Sequence, residues 1–195
     1  MHPNGTGDRV TTRPAVFLDR DGTIVHDVHY LSRPEQLSLI AGATEALIRL
    51  ADAGLPLIVV TNQSGIGRGL LSEADFAVIT ARLDAMLLAE GVRLTATYHC
   101  PDAPDVPSAI SCRKPGDRMH ARAALEHGID LSRSFYIGDR WRDVEPAVVH
   151  NAMGILVPTP ETPFRDLSRA KDDAVVATTL DAAVDRVLRM LAQRP

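Results

Sequence analysis

Two aspartates stand two residues apart at the close of an apolar run: residues 15–25 read AVFLDRDGTIV, with Asp19 and Asp21 where a buried strand should end. Three more polar clusters punctuate the chain in the same manner. Thr61-Asn62-Gln63-Ser64-Gly65 follows LIVV, Arg113-Lys114 precedes a proline-led helix, and Gly138-Asp139 follows FYI with Asp143 four residues on. Singly, each has a plain alternative. DRDGT makes a good turn, and TNQSG lacks the lysine of a Walker loop. A calcium loop starting at Asp19 would need glycine at Ile24 and a bidentate glutamate at Tyr30, which excludes that chemistry. Together the clusters would deliver carboxylates, a hydroxyl, an amide and an ammonium to one crevice. Carboxylates crowded in this way repel one another and suit a hard divalent cation, Mg²⁺. The hydroxyl, backbone N–H groups and ammonium suit a phosphoryl group.

That reading requires elements that bring four chain positions to one edge. An amphipathic helix, a glycine and an apolar run recur four times, with Gly54 before LPLIVV, Gly91 before VRLTATY, Gly128 leading to FYIG and Gly154 before ILVP. The runs are continuous rather than alternating, as in a parallel sheet covered on both faces. Helices are expected at 42–53, 72–90, 115–127, 143–151 and 179–191. The second opens on Ser72-Glu73-Ala74-Asp75, a variant capping box, and the third carries Pro115 in its first turn. The fold class is α/β, a doubly wound Rossmann-like parallel sheet with ligands at the carboxyl ends of its strands.

At 195 residues and 45% apolar content, one domain is expected over 14–195, after a flexible leader at 1–13. The formal charge of −4 and scattered basic residues argue against nucleic acid as a partner. No apolar run approaches the ~20 residues of a membrane span, and the polar start is unlike a signal peptide. The expectation is a cytoplasmic monomer with no membrane partner.

The order of the clusters differs from that of receiver domains, which place the acceptor aspartate before the threonine and lysine, whereas here the acid pair comes first, then Thr61, then Lys114, then the second acid group. It resembles instead the haloacid dehalogenase (HAD) superfamily of phosphatases, with DRDGT, TNQSG, Lys114 and GDRWRD as its four motifs. The spacing leaves no room for a cap domain. TNQSGIGRG and CRKPG are similar to the branch that holds histidinol-phosphate phosphatases and D-glycero-D-manno-heptose 1,7-bisphosphate phosphatases. The heptose type is the leading expectation, histidinol phosphate the alternative, and a catalytically silent binding protein on this fold the third reading.

The resemblance implies Asp19 as nucleophile, Asp21 as general acid and base, and Thr61, Asn62 and Lys114 as holders of the phosphoryl oxygens. It implies Mg²⁺ on the Asp19 carboxylate, the Asp21 main-chain carbonyl and Asp139, with Asp143 supporting that shell or the Lys114 ammonium. Arg68 and Arg113 are candidates for the rest of a small phosphorylated substrate, such as a second phosphate, because arginine offers a fork of donors. Members of the branch carry a zinc loop, C-x-H then C-x-C. Here only Cys100 and Cys112 remain of four ligands; Ile110 cannot ligate, although Asp102 has a donor oxygen. A zinc-free loop stiffened by Pro101, Pro104 and Pro107 is expected, with the two cysteines as thiols; a reversible Cys100–Cys112 disulfide is the alternative that a reducing compartment does not support.

Overall fold

Apolar runs at 16–18 and 57–60 alternate their side chains between two faces, and both faces find a helical layer. The computed structural model describes residues 12–107 and 109–193. Its strands are β1 (Val16–Leu18), β2 (Leu57–Asn62), β3 (Ala96–Cys100), β4 (Phe135–Gly138), β5 (Met153–Leu156) and β6 (Val175–Val176). Its helices are α1 (Ala43–Asp52), α2 (Ser64–Gly67), α3 (Glu73–Ala89), α4 (Arg118–His127), α5 (Trp141–Val149), α6 (Phe164–Asp173) and α7 (Leu180–Ala192).

The strands form one parallel sheet in the order β3-β2-β1-β4-β5-β6. Val16, Leu18 and Val59 face α1, α3 and α7, packing on Leu47, Leu50, Ile79, Leu83, Val184 and Val187. Phe17, Ile58 and Val60 face the other way, onto Met119 and Ala123 of α4 and Ala147 of α5. The chain winds outward from β1 to β3, then returns to β4 on the opposite side of β1. This reversal leaves a crevice between β1 and β4 at their carboxyl ends, the place where open α/β sheets bind ligands. Asp19 N donates to Ile137 O at 2.9 Å there, so the residue after β1 is tied directly to β4.

Between β1 and β2 the chain holds α1 and a 3-10 turn at Pro34–Gln36; between β2 and β3 it holds α2 and α3. No inserted domain stands over the sheet among the described residues. None of their helices is long and apolar enough to cross a membrane.

Several boundaries differ from the sequence expectation. Residues 1–11 of the expected leader lie outside the described residues, but Arg13 is paired: its N–H donates to Gly128 O and its carbonyl accepts from Asp130 N. Helix α4 begins at Arg118 rather than 115, because the Gly116 N to Arg113 O bond makes residues 113–116 a turn. Helix α5 begins at Trp141, since Asp143 Oδ2 accepts from Arg140 N at 3.0 Å and caps the first turn. α6 and β6 were not expected: α6 buries only Ala170, and β6 has two residues.

Candidate active site

The crevice is a cleft of about 180 Å³ whose lining includes Asp19, Asp21, Thr61, Asn62, Asp139 and Arg142. Lys114 enters from beneath. Its Nζ lies 2.6 Å from Asp19 Oδ1 and 2.7 Å from Asp143 Oδ1, and donates to Val60 O at 2.5 Å. Asn62 holds the lysine's main chain: Lys114 N donates to Asn62 Oδ1 at 2.9 Å, and Asn62 Nδ2 donates to Lys114 O at 3.2 Å. The Asn62 side chain is thus a strut between β2 and the lysine turn. Burial works against the Lys114 charge, but Asp143 and Asp19 more than offset it and hold the pKa above the usual lysine range.

Oxygens of Asp19, Asp139 and Asp143 all lie within 4.8 Å of one another. Burial pushes the Asp19 carboxyl up to about 6, with Lys114 opposing and Asp143 and Asp21 adding to the rise. Burial, then Asp19 and Asp143, push Asp139 up to about 8, although Arg140 Nε lies 3.1 Å from its carboxylate. Three buried carboxylates beside one lysine therefore hold more negative charge than their surroundings stabilise. An all-oxygen donor set with that excess fits a hard divalent cation such as Mg²⁺.

The Asp21 carboxylate lines the same cleft but is held by other partners. Arg20 Nε and Nη2 donate to its two oxygens at 3.0 and 2.9 Å. Gln63 Nε2 donates to Asp21 Oδ2 and to Thr61 Oγ1, both at 2.9 Å. Arg20 is buried, with its guanidinium over the Phe76 ring of α3. Sequence reasoning assigned no part to Arg20 or Gln63. Gln63 carried a signal in its place two residues after Thr61 within the same cluster; Arg20 carried none.

Arg68 and Arg113 are not among the residues lining the cleft. Arg113 stands beside it, half-buried, with burial and the neighbouring Arg142 and Arg68 charges depressing its pKa. Arg142, unassigned from sequence, does line the cleft, and its Nε is 3.8 Å from Asp143 Oδ1. Trp141 packs with Val144, Leu156 and Ala170 beneath the Arg169 guanidinium. The expectation of two thiols is corrected: Cys100 and Cys112 form a disulfide. β3 ends at Cys100 and the loop returns alongside it, bringing the two Cα atoms to 5.5 Å, within bridging reach.

A HAD-hydrolase-like family model matches residues 111–183. The D-glycero-beta-D-manno-heptose-1,7-bisphosphate 7-phosphatase of Yersinia pestis is 36% identical over 188 residues, covering 93% of each chain. The D-glycero-D-manno-heptose-1,7-bisphosphate 7-phosphatase of Thermosynechococcus vestitus is 38% identical over 197 residues, covering 93% of this chain and 99% of that one. The chain belongs to the HAD-like phosphatases. Among solved structures, the D,D-heptose 1,7-bisphosphate phosphatase of B. bronchiseptica, complexed with magnesium and phosphate, matches with a TM-score of 0.80 at 27% identity. That match covers 91% of this chain and 99% of that one.

As a HAD-like phosphatase, the chain is an enzyme of phosphate-ester hydrolysis, and such phosphatases depend in general on magnesium. Its fold places the carboxylate trio and Lys114 where the sheet reverses direction, and places Asp21 on a support of its own. Asp19 and Asp21 thereby have different surroundings despite standing two positions apart.

Proposed function

We propose that this HAD-like phosphatase removes the 7-phosphate of D-glycero-D-manno-heptose 1,7-bisphosphate through an aspartyl phosphate on Asp19. The observation that carries the reading is the Asp19 carboxylate at the β1–β4 switch point, 2.6 Å from Lys114, in a chain whose relatives share that named activity.

An Asp19 carboxylate oxygen attacks phosphorus, the bond from phosphorus to the sugar oxygen breaks, and its electron pair stays on that oxygen. Asp21 gives the departing oxygen a proton. Water then attacks the phosphorus of the aspartyl phosphate, Asp21 takes a proton from it, and Asp19 is released with inorganic phosphate. Arg20 and Gln63 aim the Asp21 carboxyl. Lys114 and Thr61 stabilise the charge spread over the phosphoryl oxygens. Asp143 keeps the Lys114 ammonium in place, and Asn62 keeps its main chain in place. Asp19, Asp139 and the main-chain carbonyl of Asp21 would hold Mg²⁺, which supplies the charge neutralisation that lets a carboxylate approach an anionic phosphate. Arg113, with Arg68 and Arg142 near it, is assigned to the phosphate that is not cleaved.

The test is phosphate release from the heptose bisphosphate, histidinol phosphate and an aryl phosphate by the purified protein with Mg²⁺. The expected kcat/KM is highest for the heptose bisphosphate by at least about tenfold. A higher value for histidinol phosphate would move the substrate to the alternative, and no release from any of the three would leave a binding protein. The names of the relatives favour the heptose substrate.

A further inference from the structure

Arg113 is held at both ends by one loop. Its main-chain N–H donates to Ser111 Oγ at 3.1 Å, and its Nη1 donates to the main-chain carbonyl of Asp102 at 2.7 Å. The Asp102 carboxylate in turn accepts from Ser111 Oγ at 2.9 Å and from Cys112 N at 3.0 Å through the same oxygen. The Cys100–Cys112 bridge closes the loop at its base, across 12 residues. Its outgoing limb lies against α2: Gly67 N donates to Pro101 O at 2.9 Å, and a Cβ on Gly67 would come 2.6 Å from that oxygen. Its returning limb is fixed by Arg118, which donates to Ile110 O at 2.8 Å and Ala109 O at 2.7 Å. His99 faces Glu73 and Phe76 of α3 and takes no part in this arrangement.

We infer that Asp102 and the Cys100–Cys112 disulfide are a positioning device that aims the Arg113 guanidinium at the uncleaved phosphate, setting the preference for a bisphosphate over a monophosphate. The inference rests on the assignment of Arg113 to that phosphate. Two features make the device economical. The Asp102 carbonyl takes one N–H at Nη1 and leaves the remaining donors of the fork for an anion. The like charges of Arg68 and Arg142 nearby give that anion a further reason to settle there. The bridge is also open to solvent reagents, since Cys112 lines a surface groove with Thr97, Arg118 and Met119. A dithiol reductant breaks the Sγ–Sγ bond by supplying two electrons and two protons, leaving two cysteine thiols and its own disulfide. Reduction frees the base of the loop but leaves Asp19, Asp21 and Lys114 untouched.

The experiment measures kcat and KM for the heptose bisphosphate and for an aryl phosphate, with Mg²⁺, using oxidised protein, dithiol-reduced protein, Asp102→Ala, Asp102→Asn and Arg113→Ala. Intact mass establishes the state of the bridge, and thermal melting establishes that each variant is folded. Reduction and Asp102→Ala are each expected to raise KM for the bisphosphate about tenfold, the loss of one charge-assisted contact, with kcat and the aryl phosphate within about twofold of wild type. Asp102→Asn keeps an acceptor oxygen for Ser111 and Cys112 and should behave as wild type. In an Arg113→Ala background neither change should add to the rise. If Arg113→Ala raises KM for the bisphosphate but reduction and Asp102→Ala leave it unchanged, the positioning role is wrong and the assignment of Arg113 stands. If Arg113→Ala itself leaves KM unchanged, the assignment fails and the inference with it. An equal fall in kcat for both substrates, or stoichiometric zinc in the reduced protein, would also overturn the inference.

Discussion

Asp19 and Asp21 have the same side chain and opposite neighbours. Asp19 shares Lys114 with Asp143, whereas Asp21 is clamped by a buried arginine and a glutamine. Asp19→Asn removes the proposed nucleophile while preserving shape, and is expected to lower phosphate release about 10⁴-fold or more with folding intact, as checked by turnover and melting. Asp21→Asn should cost about 10²–10⁴-fold, the usual worth of a positioned proton carrier. Lys114→Met leaves Asp19 and Asp143 buried without their cation and should destabilise the metal-free protein by about 3–5 kcal/mol in urea unfolding. At this scale the sequence was legible where types and order carried the chemistry: Asp19, Thr61, Lys114, Asp139 and Asp143 do converge. Arg20 was not legible, because its burial depends on Phe76, 56 residues away on another helix. The disulfide was hidden for a similar reason, since spacing says nothing of where a loop returns.

Strand ends do the positioning, and they tolerate little added volume. Gly138 closes β4, and a Cβ there would lie 2.3 Å from Asp143 Cβ on α5. Gly138→Ala must push the first turn of α5 away from the sheet, separating Asp143 from Lys114. The expected result is a loss of about 1–3 kcal/mol in stability from overpacking, together with a fall in kcat. A variant as active and stable as wild type would show that α5 can shift without disturbing the trio. The four inner strands, β2, β1, β4 and β5, were readable as elements because both faces of this sheet are covered there, so each run is continuously apolar. α6 was not readable, because FRDLSRAKDD is dominated by charge and offers the core little beyond Ala170 and Leu167, its Phe164 standing exposed. α4 started late because proline at residue 115 serves the lysine turn, not the helix.

Across the whole molecule, the doubly wound order concentrates acid at one point of a chain whose formal net charge is only −4. Without metal, burial favours the protonated form of the carboxyls at that point. The Asp19 and Asp139 carboxyls rise from 3.8 to about 6 and about 8, so the folded state binds protons more tightly than the unfolded chain. This contribution to stability is complete below the ordinary carboxylate range and is lost as pH climbs through 6 towards 8. A divalent cation acts in the opposite sense. It competes with those protons at low pH and meets free carboxylates at high pH, so binding should release protons and strengthen as pH rises. Saturating Mg²⁺ is therefore expected to raise the melting temperature little at about pH 5.5 and progressively more up to about pH 9, by the linkage between ligand affinity and stability. Asp139→Asn should flatten that dependence, because it removes the group with the highest pKa. A Mg²⁺-induced shift that is the same at both ends of the range would mean that the carboxylates are already ionised without metal. Lys114 and the arginines around the cleft would then balance the trio by themselves, and the case for a cation at the switch point would have to rest on turnover alone.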